Sequence, residues 1–201
     1  MIKMKINIFL IITIFFTNSG FGQTAMAGLS IGEDQRWINE VPLEVLVSEL
    51  EYETPRIKFI TDNGNYLSIT TQNGKVVYME NNWNQEVTGK ESLIPNFIFG
   101  ETSLKEIYKK FGTRGFIYTK QDALTIGNEK VFLNCFELSE EENVVLVVVT
   151  KTSIDTKIND VDLLSDILLE ALILSDFTYL DEYWGNDKKY SENYIKIILK
   201  Q

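Results

Sequence analysis

The chain has no histidine among its 201 residues, one cysteine and three prolines. Without histidine there is no Ser-His-Asp or Cys-His nucleophile and no imidazole base near neutral pH. The commonest nitrogen ligand for zinc or copper is missing as well, and a single thiol does not replace it. Gly-x-Ser-x-Gly, Ser-x-x-Lys, Gly-x-x-x-x-Gly-Lys and Gly-x-Gly-x-x-Gly are all absent, so no cofactor is expected. The lone Cys135 excludes an intramolecular disulfide, and packing alone must hold the fold together. Set in Val131–Leu138, this thiol reads as a small core residue, with a reactive or partner-linked thiol as the sharper alternative. No Pro-, Ser- or Gly-rich linker divides the chain, which favours one compact domain.

Long apolar runs are scarce too. The N-terminal one, Ile6–Phe16, follows Lys3 and Lys5 and is broken by Asn7 and Thr13. It is about half the ~20 residues of a spanning helix, which fits a secretory signal peptide better than an anchor. Ala25-Met26-Ala27 offers small residues for cleavage, with Gly20-Phe21-Gly22 as a competitor. The expected division is a signal peptide over 1–27 and a single domain over 28–201. No cysteine follows the run to accept a lipid. Basic residues number 19 against 29 acidic ones, a net charge of −10. Removing Met1–Ala27 takes away Lys3, Lys5 and no acid, so the charge becomes −12. Such a chain repels nucleic acid and anionic lipid and favours a cationic protein surface. A periplasmic or secreted location follows, with no stable membrane insertion after signal removal.

Present in quantity are apolar stripes and strand-like runs. Leu43, Leu46, Val47 and Leu50 follow i, i+3, i+4, i+7, and so do Leu104, Ile107, Tyr108 and Phe111. Pro42 suits a first helical turn, and Thr54-Pro55 a stop. Arg56–Thr61, Tyr66–Thr71 and Lys75–Glu80 read as strands, with Asn73-Gly74 as a tight hairpin turn. Around the second stripe, Ser103 and Glu106 form a capping box and Gly112 ends the helix. Gly115–Lys120, Val131–Leu138 and Val144–Thr150 are strand-like, the last apolar on both faces as in a central strand. Asp160–Ser175 reads as a third helix. Tyr194–Lys200 is left as a strand or a helical turn. The expected fold is α+β: two helix-then-antiparallel-meander units forming a helix-packed sheet, plus a C-terminal helix. Unit one spans about 29–90, unit two about 91–150, and the helical segment 151–201.

Carboxylates are the remaining catalytic candidates. Asp62, Glu137, Glu140, Asp155, Asp181 and Glu182 could pair as a glycosidase acid and nucleophile, but spacing in sequence does not bring two together. Asp62-Asn63-Gly64-Asn65 lacks the downstream ligands of a calcium loop and reads as an Asx turn. Aromatics point instead to binding. If Leu67 and Ile69 face the core, Tyr66, Ser68 and Thr70 face the other way, and Tyr78 can join them. Tyr66, Tyr78, Trp83 and Tyr118 are the candidate contact residues, since tyrosine and tryptophan offer rigid area with a polar end. Completing the core is their competing role.

The segment Gly100-Glu101-Thr102-Ser103-Leu104-Lys105-Glu106-Ile107-Tyr108-Lys109-Lys110-Phe111-Gly112 resembles the Gly-x-Thr/Ser-x-x-x-Val/Ile-x-x-x-Leu/Phe-Gly pattern of small bacterial envelope proteins of the SmpA/OmlA (BamE) type. A tandem arrangement of such units is similar to the β-lactamase-inhibitor-protein fold. The first unit departs from the pattern, with Glu51 where the helix-ending glycine would stand. The resemblance implies a helix-packed antiparallel sheet and a binding role in the envelope. The expected function is therefore a non-enzymatic exported binding protein with a protein partner, acting as an inhibitor, immunity or assembly factor. A small-ligand carrier is the alternative, and a carboxylate hydrolase ranks below it.

Overall fold

A computed structural model describes residues 24–51, 54–121, 124–155 and 164–199. The expected signal segment up to residue 23, and positions 160–163 of the expected third helix, lie outside the described residues.

A small hairpin comes first: β1 (Ala25–Met26) pairs with β2 (Leu29–Ser30) around Ala27-Gly28, both at positive φ. A short 3-10 turn covers Gln35–Glu40. There follow β3 (Glu44–Glu51), β4 (Thr54–Ile60), β5 (Tyr66–Gln72) and β6 (Lys75–Asn82), an antiparallel meander. Asn73 and Gly74, at φ 51° and 76°, turn β5 into β6 where the sequence places a hairpin. After a long connection come α1 (Leu104–Phe111), β7 (Phe116–Tyr118), β8 (Leu124–Ile126), β9 (Glu129–Glu137) and β10 (Val144–Ser153). The chain ends through β11 (Leu168–Asp176), α2 (Phe177–Trp184) and β12 (Lys188–Tyr190).

Ten strands make one antiparallel sheet in the order β12-β7-β9-β10-β11-β6-β5-β4-β3, with β8 on β9. Two meanders, β3–β6 and β9–β11, therefore meet along the β6–β11 seam. Alternation splits the apolar residues between two cores. Val144, Leu146 and Val148 of β10 join Met26, Leu67, Ile69 and Met79 on one face. Val145, Val147 and Val149 join Phe116, Tyr118, Cys135 and Leu180 on the other. Residues Ile94, Phe97 and Phe99 of the long connection, with Ile107 and Phe111 of α1, roof the first face. Asparagines staple that connection to the sheet: Asn65 Nδ2 donates to the Gly89 carbonyl (3.1 Å), and Leu93 N–H donates to Asn81 Oδ1 (2.8 Å). The Asx turn is present, with Asn65 N–H donating to Asn63 Oδ1 at 3.4 Å.

The expected α+β class is corrected to a predominantly antiparallel β protein. The two helix-then-meander units do not exist, because Leu46, Val47 and Leu50 of the first stripe lie in the strand Glu44–Glu51, and of the two stripes only Leu104–Phe111 is a helix. A bulge between Val45 and Val47 explains the misleading stripe. One extra residue breaks the two-residue alternation, and a broken alternation mimics i+3, i+4 spacing. The tandem repeat behind the BamE and β-lactamase-inhibitor-protein resemblance is thereby removed. The third helix is corrected as well: Leu168–Asp176 is the central strand β11, between β10 and β6. A strand buried on both faces carries apolar residues continuously, and periodicity does not separate it from a buried helix. Among its described residues the segment 151–201 accordingly holds the end of β10, β11, β12 and, as α-helix, the short α2. Ile197 bridges Leu138 in parallel and is buried with Leu199.

Candidate functional site

Tyr66, Ser68 and Thr70 do lie on the face of β5 opposite Leu67 and Ile69. The register sets Lys58, Ser68 and Glu80 in one cross-strand row, and Arg56, Thr70 and Tyr78 in another. Ser68 and Thr70 are buried because these long neighbours close over them. Arg56 Nη2 and Glu80 Oε2 pair at 3.0 Å, the Tyr78 hydroxyl donates to the same carboxylate at 3.0 Å, and Lys58 Nζ sits 4.0 Å over the Tyr66 ring. Burial, reinforced by the Glu80 carboxylate, pushes the Tyr78 phenol well above its ordinary pKa.

The helix α2 bounds this face. Asp176 caps it by accepting from Tyr179 N–H at 3.0 Å, so the helix begins where β11 stops. Tyr179 packs 5.8 Å from Tyr78 and 4.5 Å from Tyr183. The Tyr183 and Thr54 hydroxyls meet at 3.2 Å. Between helix and sheet runs a groove of about 400 Å³ lined by Arg56, Thr70, Tyr78, Tyr179, Tyr183 and Trp184.

Tyr66 and Tyr78 thus share one face, while the other two candidates lie elsewhere. Tyr118 is 1% exposed; its hydroxyl donates to Asp181 at 2.8 Å and its ring meets Trp184 edge-on at 5.4 Å. Trp83 packs against the first core, close enough to Gly100 that a β-carbon there would come within 2.5 Å of the ring. Cys135 is free and fully buried, and burial raises its thiol pKa strongly, which marks an inert core cysteine.

Sequence reasoning missed the sheet's edge. β3 ends the strand order, and Val45, Leu46 and Val47 are 56%, 46% and 42% exposed. Three consecutive aliphatics open to water on an edge strand are unusual, since such edges are commonly protected by lysine, proline or a covering element. The sequence signal was Val-Leu-Val between glutamates, hidden by the helical spacing.

Three of the candidate carboxylates, Glu137, Asp181 and Glu182, are engaged by neighbouring side chains. Asp181 pairs with Lys188 and accepts from Tyr118, and Glu182 accepts from Gln72 at 3.3 Å. Burial pulls the Glu137 carboxyl upward, but Lys196, Tyr194 and Tyr190 outweigh it and hold it below the usual range. Among the described residues no three His, Cys, Asp or Glu side chains group to hold a metal, and no helix is long and apolar enough to cross a membrane.

Neither a protein-family model nor a curated protein matches the chain. Solved structures that are partly similar include two secreted bacterial proteins by their descriptions. One is an extracellular protein containing an SCP domain from Bacillus anthracis str. Ames, with 14% identity and a TM-score of 0.49 over 82% of this chain and 50% of that one. The other is a cysteine-rich secretory protein from Staphylococcus aureus subsp. aureus Mu50, with 13% identity and a TM-score of 0.44 over 87% of this chain and 53% of that one. The chain spans about half the length of each of these proteins. The resemblance to BamE and β-lactamase-inhibitor proteins is corrected, because the helix-then-meander repeat that suggested it is absent from the described residues.

Proposed function

We propose that this chain is an exported, non-enzymatic binding protein that takes an extended segment of a protein partner along β3. The observation that carries the proposal is the open edge strand with Val45, Leu46 and Val47 exposed. An edge strand offers a row of unpaired backbone N–H and C=O groups, and strand addition satisfies them while alternate side chains set specificity. Full burial of a valine or leucine contributes about 1.5–3 kcal/mol. Exposed Glu44 in the same strand, on a chain of net charge −10, favours a segment that alternates apolar and basic residues. Val47 stands opposite Lys58, whose ammonium rests on Tyr66, so the open face adjoins the edge. Export is supported by Lys3 and Lys5 before Ile6–Phe16, and a non-enzymatic role by the missing histidine and the paired carboxylates.

The test compares wild type with a Val45→Lys/Val47→Lys variant in cross-linked capture from envelope and secreted fractions. Circular dichroism confirms that the variant is folded. Wild type is expected to retain a defined protein that the variant loses; equal retention by both sinks the reading. Self-association of wild type, abolished in the variant, identifies the partner as a second copy.

A further inference from the structure

Away from the groove and the edge, β9 has an interruption. β10 pairs with it throughout, but on its other side β8 reaches only Glu129–Val131 and β7 only Cys135. Among the described residues no strand pairs with Phe132–Asn134 on that side, and a pocket of about 310 Å³ opens there, walled by Leu104, Phe116, Phe132 and Ile167. It shares no lining residue with the groove beside α2.

Asn134 lines this pocket and is only 7% exposed. Its Nδ2 donates to the Tyr108 hydroxyl at 2.8 Å, and its Oδ1 has no partner. If the amide is turned over, the spare atom becomes the nitrogen, so one amide atom is left over in either setting. Buried polar atoms are normally satisfied, and the residue that carries this one lines the pocket. At the rim stand Arg114, its guanidinium 5.8 Å from the Tyr108 ring, and Lys189. Among the described residues no carboxylate lines the pocket. An adjoining depression shares Tyr108 and Arg114 and adds Lys109. On a chain of net charge −10 this is a cationic mouth over an apolar chamber.

We infer that the pocket binds a small amphipathic carboxylate, its apolar body in the chamber, an amide or hydroxyl on Asn134 and its carboxylate at Arg114. Charge-assisted bonds from a guanidinium to a carboxylate are the strong ones, and Arg114 makes no ion pair among the described residues. N-octanoylglycine has this chemistry: an apolar chain, an amide next to the head, and one carboxylate.

Calorimetric titration of the folded chain with N-octanoylglycine, its methyl ester as control, tests the site. One molecule is expected to bind saturably, with the ester about tenfold weaker or worse. Arg114→Ala, at an exposed position, is expected to weaken the acid by about tenfold and leave the ester unchanged. Asn134→Leu is expected to weaken both. No saturable binding by calorimetry or native mass spectrometry up to millimolar acid overturns the inference. Equal affinity for acid and ester, or for wild type and Arg114→Ala, overturns it as well.

Discussion

Gly115 has φ 67°, and a β-carbon there would fall 2.1 Å from the Cys135 carbonyl oxygen, with the Phe136 ring beyond. Gly115→Ala is expected to cost about 2–4 kcal/mol, read from the denaturant midpoint, because conformation and space both oppose it. The sequence shows this glycine but not the strand that passes behind it. Cys135 was legible, since its apolar neighbours predict burial. The native thiol is expected to stay unreacted with a disulfide reagent over hours and to react fully in guanidinium; rapid native labelling would contradict its placement. The aromatics were legible only in part. Alternation placed Tyr66 and Tyr78 correctly, because strand geometry is local. Tyr118 went beneath α2 because Asp181 and Trp184, more than sixty residues away, receive it, and no local pattern encodes that.

Elements were readable where their ends carry their own chemistry. The α1 helix has its capping box, with Ser103 Oγ accepting from Glu106 N–H and Glu106 accepting from Ser103 N–H at 2.8 Å, and Gly112 closing it at φ 68°. Ser103→Ala is expected to lower stability by about 1 kcal/mol, seen as a lower thermal midpoint. β3 and β11 were not readable. A bulge counterfeits helical spacing in one, and burial on both faces removes alternation from the other. The N-terminal hairpin bears on processing: Met26 is fully buried and Thr24 N–H donates to the Glu141 carboxylate. Cleavage after Ala27 would strip Met26 from the core, a loss of about 2–5 kcal/mol. Intact-mass analysis of the exported protein is therefore expected to place its N-terminus at or before Thr24; a start at Gly28 contradicts this packing.

The missing histidine shapes how the whole molecule responds to pH. Hydrogen bonds from Arg36 lower the Asp34 carboxyl, those from Ser103 lower Glu106, and Glu137 is also lowered. Folded values below the unfolded one mean stability that is complete above the glutamate value of 4.5 and lost as pH falls through the folded values. The buried phenols behave in the opposite sense. Burial raises Tyr78 and Tyr118 strongly and Tyr108 to about 12. Their contribution is complete below the ordinary 10.0 and lost as pH rises through the folded values. With no imidazole to titrate between these limits, the urea midpoint is expected to be flat from about pH 6 to 9 and to fall on both sides.

Strand addition at β3 is read out by amide hydrogen exchange across Glu44–Glu51, with and without the captured partner. Edge amides that face solvent in the free protein are expected to exchange rapidly and to become protected in the complex. Protection that appears elsewhere while β3 continues to exchange at its free rate would contradict the account.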